Sequence, residues 1–390
     1  MRIATYKLPA VAMASVMLAS AGAQAADVKL PSQISWTAYG TTSSGYAQSV
    51  GLGQMLKNKY NVDLRIIPGK NDVSRMAPLK AGQSQLCACG MASYFNLEGV
   101  LMFAEKAWGP MVLYNLFNNI GRNGQQLMVA ADTGVKTFAD LKGKRVTWVK
   151  GAPALNINAT AALAFGGLTW NDVTKVEVPG WKQSIDAVIN GQADSAWGST
   201  ISSAYGQLAA SPRGLYFPSL PHADKAAWDR AHGVAPWWGK KTVEQYTKGA
   251  KLAGGKTDGT YEGSTFPYPL FVTTKNASED LAYGLTKAVM ENYESYKANG
   301  PGMDGYQLSN QNFEFVFPYH PGAIKYYKEK GVWKPGHEAH NAMLLKRVEV
   351  LQATWKATQA KNLPDDKFTA EWLSARAAAL TKAGLPVVFK

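Results

Sequence analysis

The chain has 390 residues, a length that favours two domains, and 46 % of them are apolar, enough to fill buried cores. Only 18 % of the residues are charged, which excludes long disordered segments. The formal net charge is +13, but the basic residues are scattered. Because zinc-ligand spacings, aromatic RNA-binding motifs and basic arms are missing from the sequence, we expect no nucleic-acid partner.

The N-terminal 25 residues have the pattern of a secretory signal peptide. Arg2 and Lys7 form a basic start, residues 8–21 are small and apolar, and residues 23–25 read Ala-Gln-Ala. This pattern predicts export to the periplasm with cleavage near Ala25, which lowers the formal charge to +11. No later run approaches the roughly 20 apolar residues that a membrane-spanning helix needs.

A strand–loop–helix order fills residues 34–95. Strands are predicted at 34–38, 62–67 and 85–89. A glycine- and hydroxyl-rich loop, 40–45, precedes a helix that starts near Tyr46, and a polar loop, 68–74, precedes a helix that ends at Gly82. Helix N-termini carry unpaired N–H groups and a partial positive charge. Two of them at the carboxyl ends of neighbouring parallel strands predict a site for a small anion.

The same order recurs in residues 146–210. Strands are predicted at 146–149, 175–178 and 193–197, and helices at 155–165, 182–190 and 199–210. This alternation predicts a parallel, doubly wound α/β sheet. Residues 212–268 are predicted to form loops and short helices, and a strand at 270–274 leads the chain back. Helices at 281–297, 323–330, 340–360 and 367–383 are predicted to pack onto the body.

Cys87 and Cys89 are the only cysteines. A bridge within a C-x-C strand would be strained, so we expect two unbridged core residues rather than a disulfide or a redox pair. Since no other Cys or His group has metal-ligand spacing, no metal or cofactor is predicted.

An ordered set of motifs resembles the TAXI family of extracytoplasmic solute-binding proteins, which serve TRAP-type secondary transporters. The set covers most of the chain beyond residue 26, and the motifs GTYEG and HPGAIKYYKEKGVW make it fairly specific. The motifs are GTTSSGYAQSVG at 40–51, PLKAGQSQL at 78–86, DTGVKTFADLKGKRV at 132–146, NATAALAFGGL at 158–168, INGQADSAW at 189–197, GTYEG at 259–263, FVTTKNASEDLAYGLTKAVMEN at 271–292 and HPGAIKYYKEKGVW at 320–333.

The resemblance implies a two-lobe, type II periplasmic binding protein of the Venus-flytrap kind. One lobe would comprise residues 26–129 and 273–390, the other residues 130–272, with crossing strands at 127–130 and 270–274. The ligand would be a small organic anion, a carboxylate, held between the lobes. The partners would be the membrane permease subunits of a secondary transporter, and we expect a monomer that is not an enzyme.

Candidate ligand-binding residues follow from the resemblance and from strand ends. Arg75 stands where the family often has Asn and matches a carboxylate bidentately; the alternatives are a solvated helix arginine or a structural pair with Asp72. A polar family loop is replaced by residues 154–158, which suggests a ligand with an apolar body. The full set is Thr41, Thr42, Ser44, Tyr46, Asn71, Arg75, Met91, Leu155, Asn156, Asn158, Trp197, Tyr205 and Tyr268.

Two other functional classes remain open. A hydrolytic enzyme would need a nucleophile and a base, but the sequence has no G-x-S-x-G elbow and five scattered histidines. A binding protein for an ABC importer of the nitrate, sulfonate or pyrimidine-precursor type would share both the fold and the ADLKGKRV element.

The signal-peptide pattern generates a direct prediction. N-terminal sequencing of the exported protein should start at Ala26 or Asp27, because signal peptidase cuts after an A-x-A motif. Recovery of Met1 from the exported fraction would contradict it.

Overall fold

A computed structural model describes residues 28–389. The predicted signal peptide lies outside these residues. The described chain forms two main mixed sheets, of five and six strands, with helices on their faces. The predicted fold class, α/β sheets flanked by helices, is confirmed.

The elements follow one another in a largely alternating order. The strands are β1 (Gln33–Tyr39), β2 (Asp63–Gly69), β3 (Leu86–Cys89), β4 (Leu113–Asn118), β5 (Gln125–Ala130), β6 (Arg145–Val149), β7 (Thr174–Val178), β8 (Ser195–Ser199), β9 (Leu215–Phe217), β10 (Gly239–Val243), β11 (Lys251–Leu252), β12 (Tyr261–Thr265) and β13 (Leu270–Thr274). The helices are α1 (Ser44–Tyr60), α2 (Asp72–Lys80), α3 (Met91–Glu98), α4 (Pro153–Phe165), α5 (Trp181–Ile189), α6 (Ser203–Ala210), α7 (Lys225–His232), α8 (Glu279–Glu291), α9 (Tyr293–Tyr296), α10 (Pro321–Glu329), α11 (Pro335–Gln359) and α12 (Asp365–Lys382).

Each main sheet mixes parallel and antiparallel pairs. The first has the order β2-β1-β3-β13-β4, and the second has the order β11-β9-β5-β8-β6-β7. β1 runs parallel to β2 and β3, and β6 runs parallel to β7 and β8. β13 and β5, however, pair antiparallel with their neighbours. The predicted parallel pairing is present among β1, β2 and β3 and among β6, β7 and β8, whereas β5 and β13 run antiparallel to their neighbours.

The chain passes between the two sheets twice. β4 and β13 pair within the first sheet and β5 and β11 within the second, so the passages lie at residues 119–124 and 253–269, and the second passage contains β12. The predicted lobe boundaries at 129/130 and 272/273 stay a prediction.

Local capping explains where the helices at the sheet ends begin. Ser43 caps α1, accepting a hydrogen bond from the backbone N–H of Tyr46 over 3.2 Å. Asn71 and Ser74 form a reciprocal capping box that starts α2 at Asp72, within the predicted loop. Arg75 therefore lies one turn into α2.

Two regions differ from the sequence prediction. Helix α3 was not predicted, because its eight residues are all buried and therefore show no amphipathic period. Residues 212–268 were expected to lack strands, but they contain β9 to β12, and β10 pairs with β12 in a small separate sheet. These strands are two to five residues long, too short for a clear alternation.

Cys87 and Cys89 form a disulfide, so the expectation of two unbridged cysteines was wrong. Their Cα atoms are 5.1 Å apart, closer than the ~6.6 Å of two fully extended residues and within the range that a disulfide spans. Both side chains are buried, as expected.

The C-terminal helices are joined to α3 by a buried ion cluster of Glu98, Arg347 and Arg376. Glu98 Oε1 accepts from Arg347 Nε over 2.5 Å, and Oε2 accepts from Nη2 of both arginines. Arg347 and Arg376 also donate 2.7 Å bonds to the backbone carbonyls of Pro386 and Phe389. One carboxylate thus ties α11, α12 and the C-terminal segment to the helix that follows β3.

Glu98→Gln should lower the free energy of unfolding by about 3–5 kcal/mol, because two buried guanidinium groups lose their only carboxylate in this cluster. Urea denaturation followed by circular dichroism measures the change. Glu371→Gln is the matched control, since its pair with Lys361 is half-exposed and should contribute about 1 kcal/mol or less. Equal losses in the two variants would contradict the assigned role of Glu98.

Candidate ligand-binding site

A cavity of about 440 Å³, counting its mouth, lies between the two main sheets. We call the sheet β2-β1-β3-β13-β4 with its helices the first half of the structure, and the sheet β11-β9-β5-β8-β6-β7 with its helices the second half. The cavity walls come from both halves, chiefly from the carboxyl ends of strands and the first turns of helices, where ligands bind in α/β folds. From the first half come Tyr39, Ser43, Ser44, Arg75, Gly90, Met91 and Tyr268; from the second come Gln125, Ala154, Leu155, Asn158, Trp181, Trp197, Gly198, Ser199, Ser202 and Phe266.

The N-termini of five helices border this cavity. They belong to α1, α3, α4, α5 and α6, whose first turns or caps contribute Ser44, Met91, Ala154, Trp181 and Ser202 to the wall. α3, α4, α5 and α6 have no side-chain cap of their own. N–H groups at such positions are satisfied by water, by ligands or by other side chains, and their partial positive charge favours an anion.

Arg75 is the one formally charged residue of the cavity wall. Its side chain is 1 % exposed, and its Cζ lies 3.5 Å from the centre of the Tyr39 ring. Nη2 donates to Asp72 Oδ1 over 2.7 Å, and Nη1 donates to the carbonyl of Ala88 over 3.3 Å. Nε is buried and has no hydrogen-bond partner among the described residues. The pair with Asp72, one of the alternatives from the sequence, is thus present, and the N–H of Nε stays uncommitted.

Asp72 carries the contact between the two halves at this point. The carboxylate is fully buried, and Oδ1 also accepts from the hydroxyl of Tyr39. Oδ2 accepts from the backbone N–H of Ala154, in the first turn of α4, over 2.8 Å. Burial raises the pKa of Tyr39 well above its usual range, so its hydroxyl stays protonated and donates. The carboxylate from the first half therefore serves as the N-terminal cap of a helix in the second.

Further hydrogen bonds hold the loops at residues 68–74 and 40–45 of the first half against the second half. The carbonyl of Lys70 accepts from the N–H of Trp181 over 2.9 Å, and the N–H of Val73 donates to Gly151 O over 3.1 Å. On the other side of the cavity, Ser203 Oγ donates to the carbonyl of Thr42 over 3.1 Å. The cleft is therefore closed along both of its loops.

Seven of the thirteen predicted site residues line the cavity. Asn158 does so with its amide already engaged: Oδ1 accepts from the indoles of Trp237 and Trp238, and Nδ2 donates to Ala154 O. Trp197 stacks on Trp238 at 5.2 Å, so its ring orientation is fixed from behind. The seven are Ser44, Arg75, Met91, Leu155, Asn158, Trp197 and Tyr268.

The other six predicted residues lie outside the cavity wall. Asn156 uses both ends of its amide on the backbone of Val149, and Asn71 caps α2 and donates to Lys150 O. Tyr205 is fully buried behind Gly198, where a Cβ would lie 2.7 Å from its hydroxyl. Thr41 is exposed, Tyr46 packs against the core of the first half, and Thr42 contacts Ser203 through its backbone.

Several wall residues were missed by the sequence analysis. Tyr39 ends β1 and Ser199 ends β8, so the strand-end rule that selected Trp197 could have found both. Trp181 is the first residue of α5, and Phe266 lies in the loop between β12 and β13. No sequence pattern at either position predicts a side chain in the cavity wall.

The described residues give no sign of a metal centre or a membrane span. Within residues 28–389, no group of three or more His, Cys, Asp and Glu side chains could hold a metal ion. Over the same residues, no helix is both long enough and apolar enough to cross a bilayer.

Solved structures of binding proteins resemble the chain distantly. The amino acid ABC transporter substrate-binding protein AbpA from Streptococcus pneumoniae, bound to L-arginine, is 13 % identical, with 68 % of this chain and 90 % of that chain covered and a TM-score of 0.39. The alkanesulfonate-binding protein SsuA from Xanthomonas axonopodis pv. citri, bound to MOPS, is 13 % identical, with 79 % and 94 % covered and a TM-score of 0.39. Likeness at this level carries no argument about ligand or partner.

The sequence profile of the NMT1-like family matches residues 37–331, which include every strand except the first few residues of β1 and every residue of the cavity wall. That span is about three-quarters of the chain. The chain belongs to the NMT1-like family.

Proposed function

We propose that this protein is an extracytoplasmic solute-binding protein that captures a small organic anion, a carboxylate, between two lobes. The lobes are residues 26–129 with 273–390, and residues 130–272. The observation that carries the proposal is the cavity built from both halves, whose single charged wall residue, Arg75, has an unpartnered Nε. A buried donor without a partner is costly unless a ligand or water satisfies it.

The cavity wall fits a carboxylate with an apolar body. The N-terminal turns of α1 and α3, which border the same cavity as Arg75, supply N–H groups and partial positive charge. Met91, Leu155 and Trp197 supply apolar surface on both sides. The cavity volume of about 440 Å³, counting its mouth, suits a small ligand.

The proposed role includes export and delivery to a membrane partner. The N-terminal pattern of residues 1–25 supports a periplasmic protein from which a signal peptide is cleaved. The proposed form is a monomer. The motifs GTYEG and HPGAIKYYKEKGVW favour the permease subunits of a TRAP-type secondary transporter as partners. The protein would bind and release its ligand unchanged, so it would not be an enzyme.

The alternative partner is an ABC importer of the nitrate, sulfonate or pyrimidine-precursor type, whose binding proteins share the fold. Transport assays with the protein and its permease in membrane vesicles separate the two. Uptake driven by an ion gradient supports the TRAP-type assignment, whereas uptake that requires ATP supports the ABC type. A permease gene that lies next to an ATPase gene would also support the ABC type.

Ligand binding should stabilise the fold and favour the closed form. In a thermal-shift screen of organic acids, a ligand at a hundred times its Kd should add about 2.7 kcal/mol to the free energy of unfolding. Small-angle scattering should then show a smaller radius of gyration with ligand than without it. An unchanged scattering profile at saturation would argue against closure of two lobes.

Arg75→Lys should weaken binding of a carboxylate hit by about tenfold or more, because one point donor replaces the planar fork. The variant keeps a cation beside Asp72, so the protein should stay folded. Arg75→Ala is less informative, since an unpaired buried carboxylate would lower stability by about 3–5 kcal/mol. Calorimetry measures the affinities.

Arg65→Lys is the matched control for this prediction, because Arg65 is exposed on β2 of the same sheet. Its Kd should equal that of the wild type. If Arg75→Lys also binds as tightly as the wild type, Arg75 has only a structural role.

A further inference from the structure

The carboxylate of Asp72 fills an anion site that the fold would otherwise offer to a ligand. α4 begins without a side-chain cap of its own, and its N–H at Ala154 points to Asp72 Oδ2 at 2.8 Å. The other oxygen of the same carboxylate pairs with Arg75. A single internal group therefore takes up both the helix N-terminus of one half and the principal cation of the other.

This arrangement fixes the charge of the site. Arg75 is the one charged residue in the wall, and Asp72, directly behind it, brings the formal charge of the pair to zero. What remains for a ligand is the N–H of Arg75 Nε and the helix starts of α1, α3, α5 and α6, and none of these helix starts brings a second formally charged cation to the wall. One carboxylate can be satisfied by these groups, but a second would be desolvated without a cation and would lie near the charge of Asp72.

We propose that Asp72 is a specificity-determining residue that restricts the ligand to a monoanion and rejects dianions. This inference rests on the proposed function, because it assumes that the cleft takes an organic anion. Asp72 contacts no ligand in this account: it acts by neutralising Arg75 and by occupying the N-terminus of α4.

The wild-type protein gives the first test. Calorimetry compares straight-chain dicarboxylates, from malonate to adipate, each with its own monoamide, which has the same shape and one charge less. For the chain length that binds best, the monoamide should bind at least about tenfold more tightly, the value of one charged hydrogen bond. A dicarboxylate that binds as tightly as its monoamide would overturn the proposal without touching the proposed function.

Asp72→Asn gives the second test, because it keeps the size of the side chain and leaves Arg75 unbalanced. The affinity ratio of dicarboxylate to monoamide should rise about tenfold or more in this variant. Asp63→Asn, which makes the same charge change at an exposed site paired with Lys57, should leave the ratio unchanged. Equal ratios in the wild type and Asp72→Asn would overturn the proposal. If Asp72→Asn does not fold, the wild-type comparison decides.

Inorganic sulfate separates failure of this inference from failure of the proposed function. If no organic acid binds the wild type or the variant, the assigned ligand class is wrong. Melting temperatures in sodium sulfate and in sodium chloride of equal ionic strength then test Asp72 itself. Asp72→Asn should gain more stability from sulfate than the wild type and Asp63→Asn gain, because a dianion can replace the missing carboxylate. An equal gain in all three proteins would overturn the role of Asp72.

Discussion

The shared carboxylate of Asp72 is the contact on which the cleft depends. It accepts hydrogen bonds from Tyr39 at the end of β1, from Arg75 in α2 and from Ala154 in α4, so three elements converge on one buried charge. Each donor is itself positioned by the fold: the capping box at Asn71 starts α2, and one helical turn brings Arg75 back beside Asp72. Without this carboxylate, a buried guanidinium would lack its counter-ion, and a helix of the other half would lack its cap.

Two glycines, Gly45 and Gly90, allow the ring of Tyr268 to pack against the N-termini of α1 and α3. The ring of Tyr268 lies between Gly45 and Gly90, where a Cβ would approach its atoms to 2.9 Å at either position. Glycine is therefore required where the two helices begin, and the polar backbone of both N-termini stays close to the cavity. The same packing holds the Tyr268 ring in the cavity wall, so this apolar ring lies next to the polar backbone of the two helix N-termini.

Local rules predicted the helices that border the first half of the cavity. The glycine–hydroxyl loop, the polar loop at 68–74 and the alternation of strands and helices indicated α1 and α2, and the family resemblance pointed to Arg75, with Asp72 as an alternative partner. Hydrophobic periodicity could not predict α3, because every residue of this helix is buried. It also could not predict which way the Tyr205 side chain points, because tertiary packing turns this side chain into the core behind Gly198. Trp181 and Phe266 reach the cavity only because distant elements meet there, which no local pattern encodes.

The central claim is that one carboxylate of a small organic anion is held between the halves, beside Arg75. The most direct measurement is a crystal structure of the mature protein saturated with the tightest-binding organic acid from the screen. The account predicts a carboxylate oxygen within hydrogen-bond distance, about 2.7–3.2 Å, of Arg75 Nε and of an N–H in the first turn of α1 or α3, with the Asp72–Ala154 bond intact. A ligand bound elsewhere, or a carboxylate that displaces Asp72 from Arg75 and α4, would contradict it.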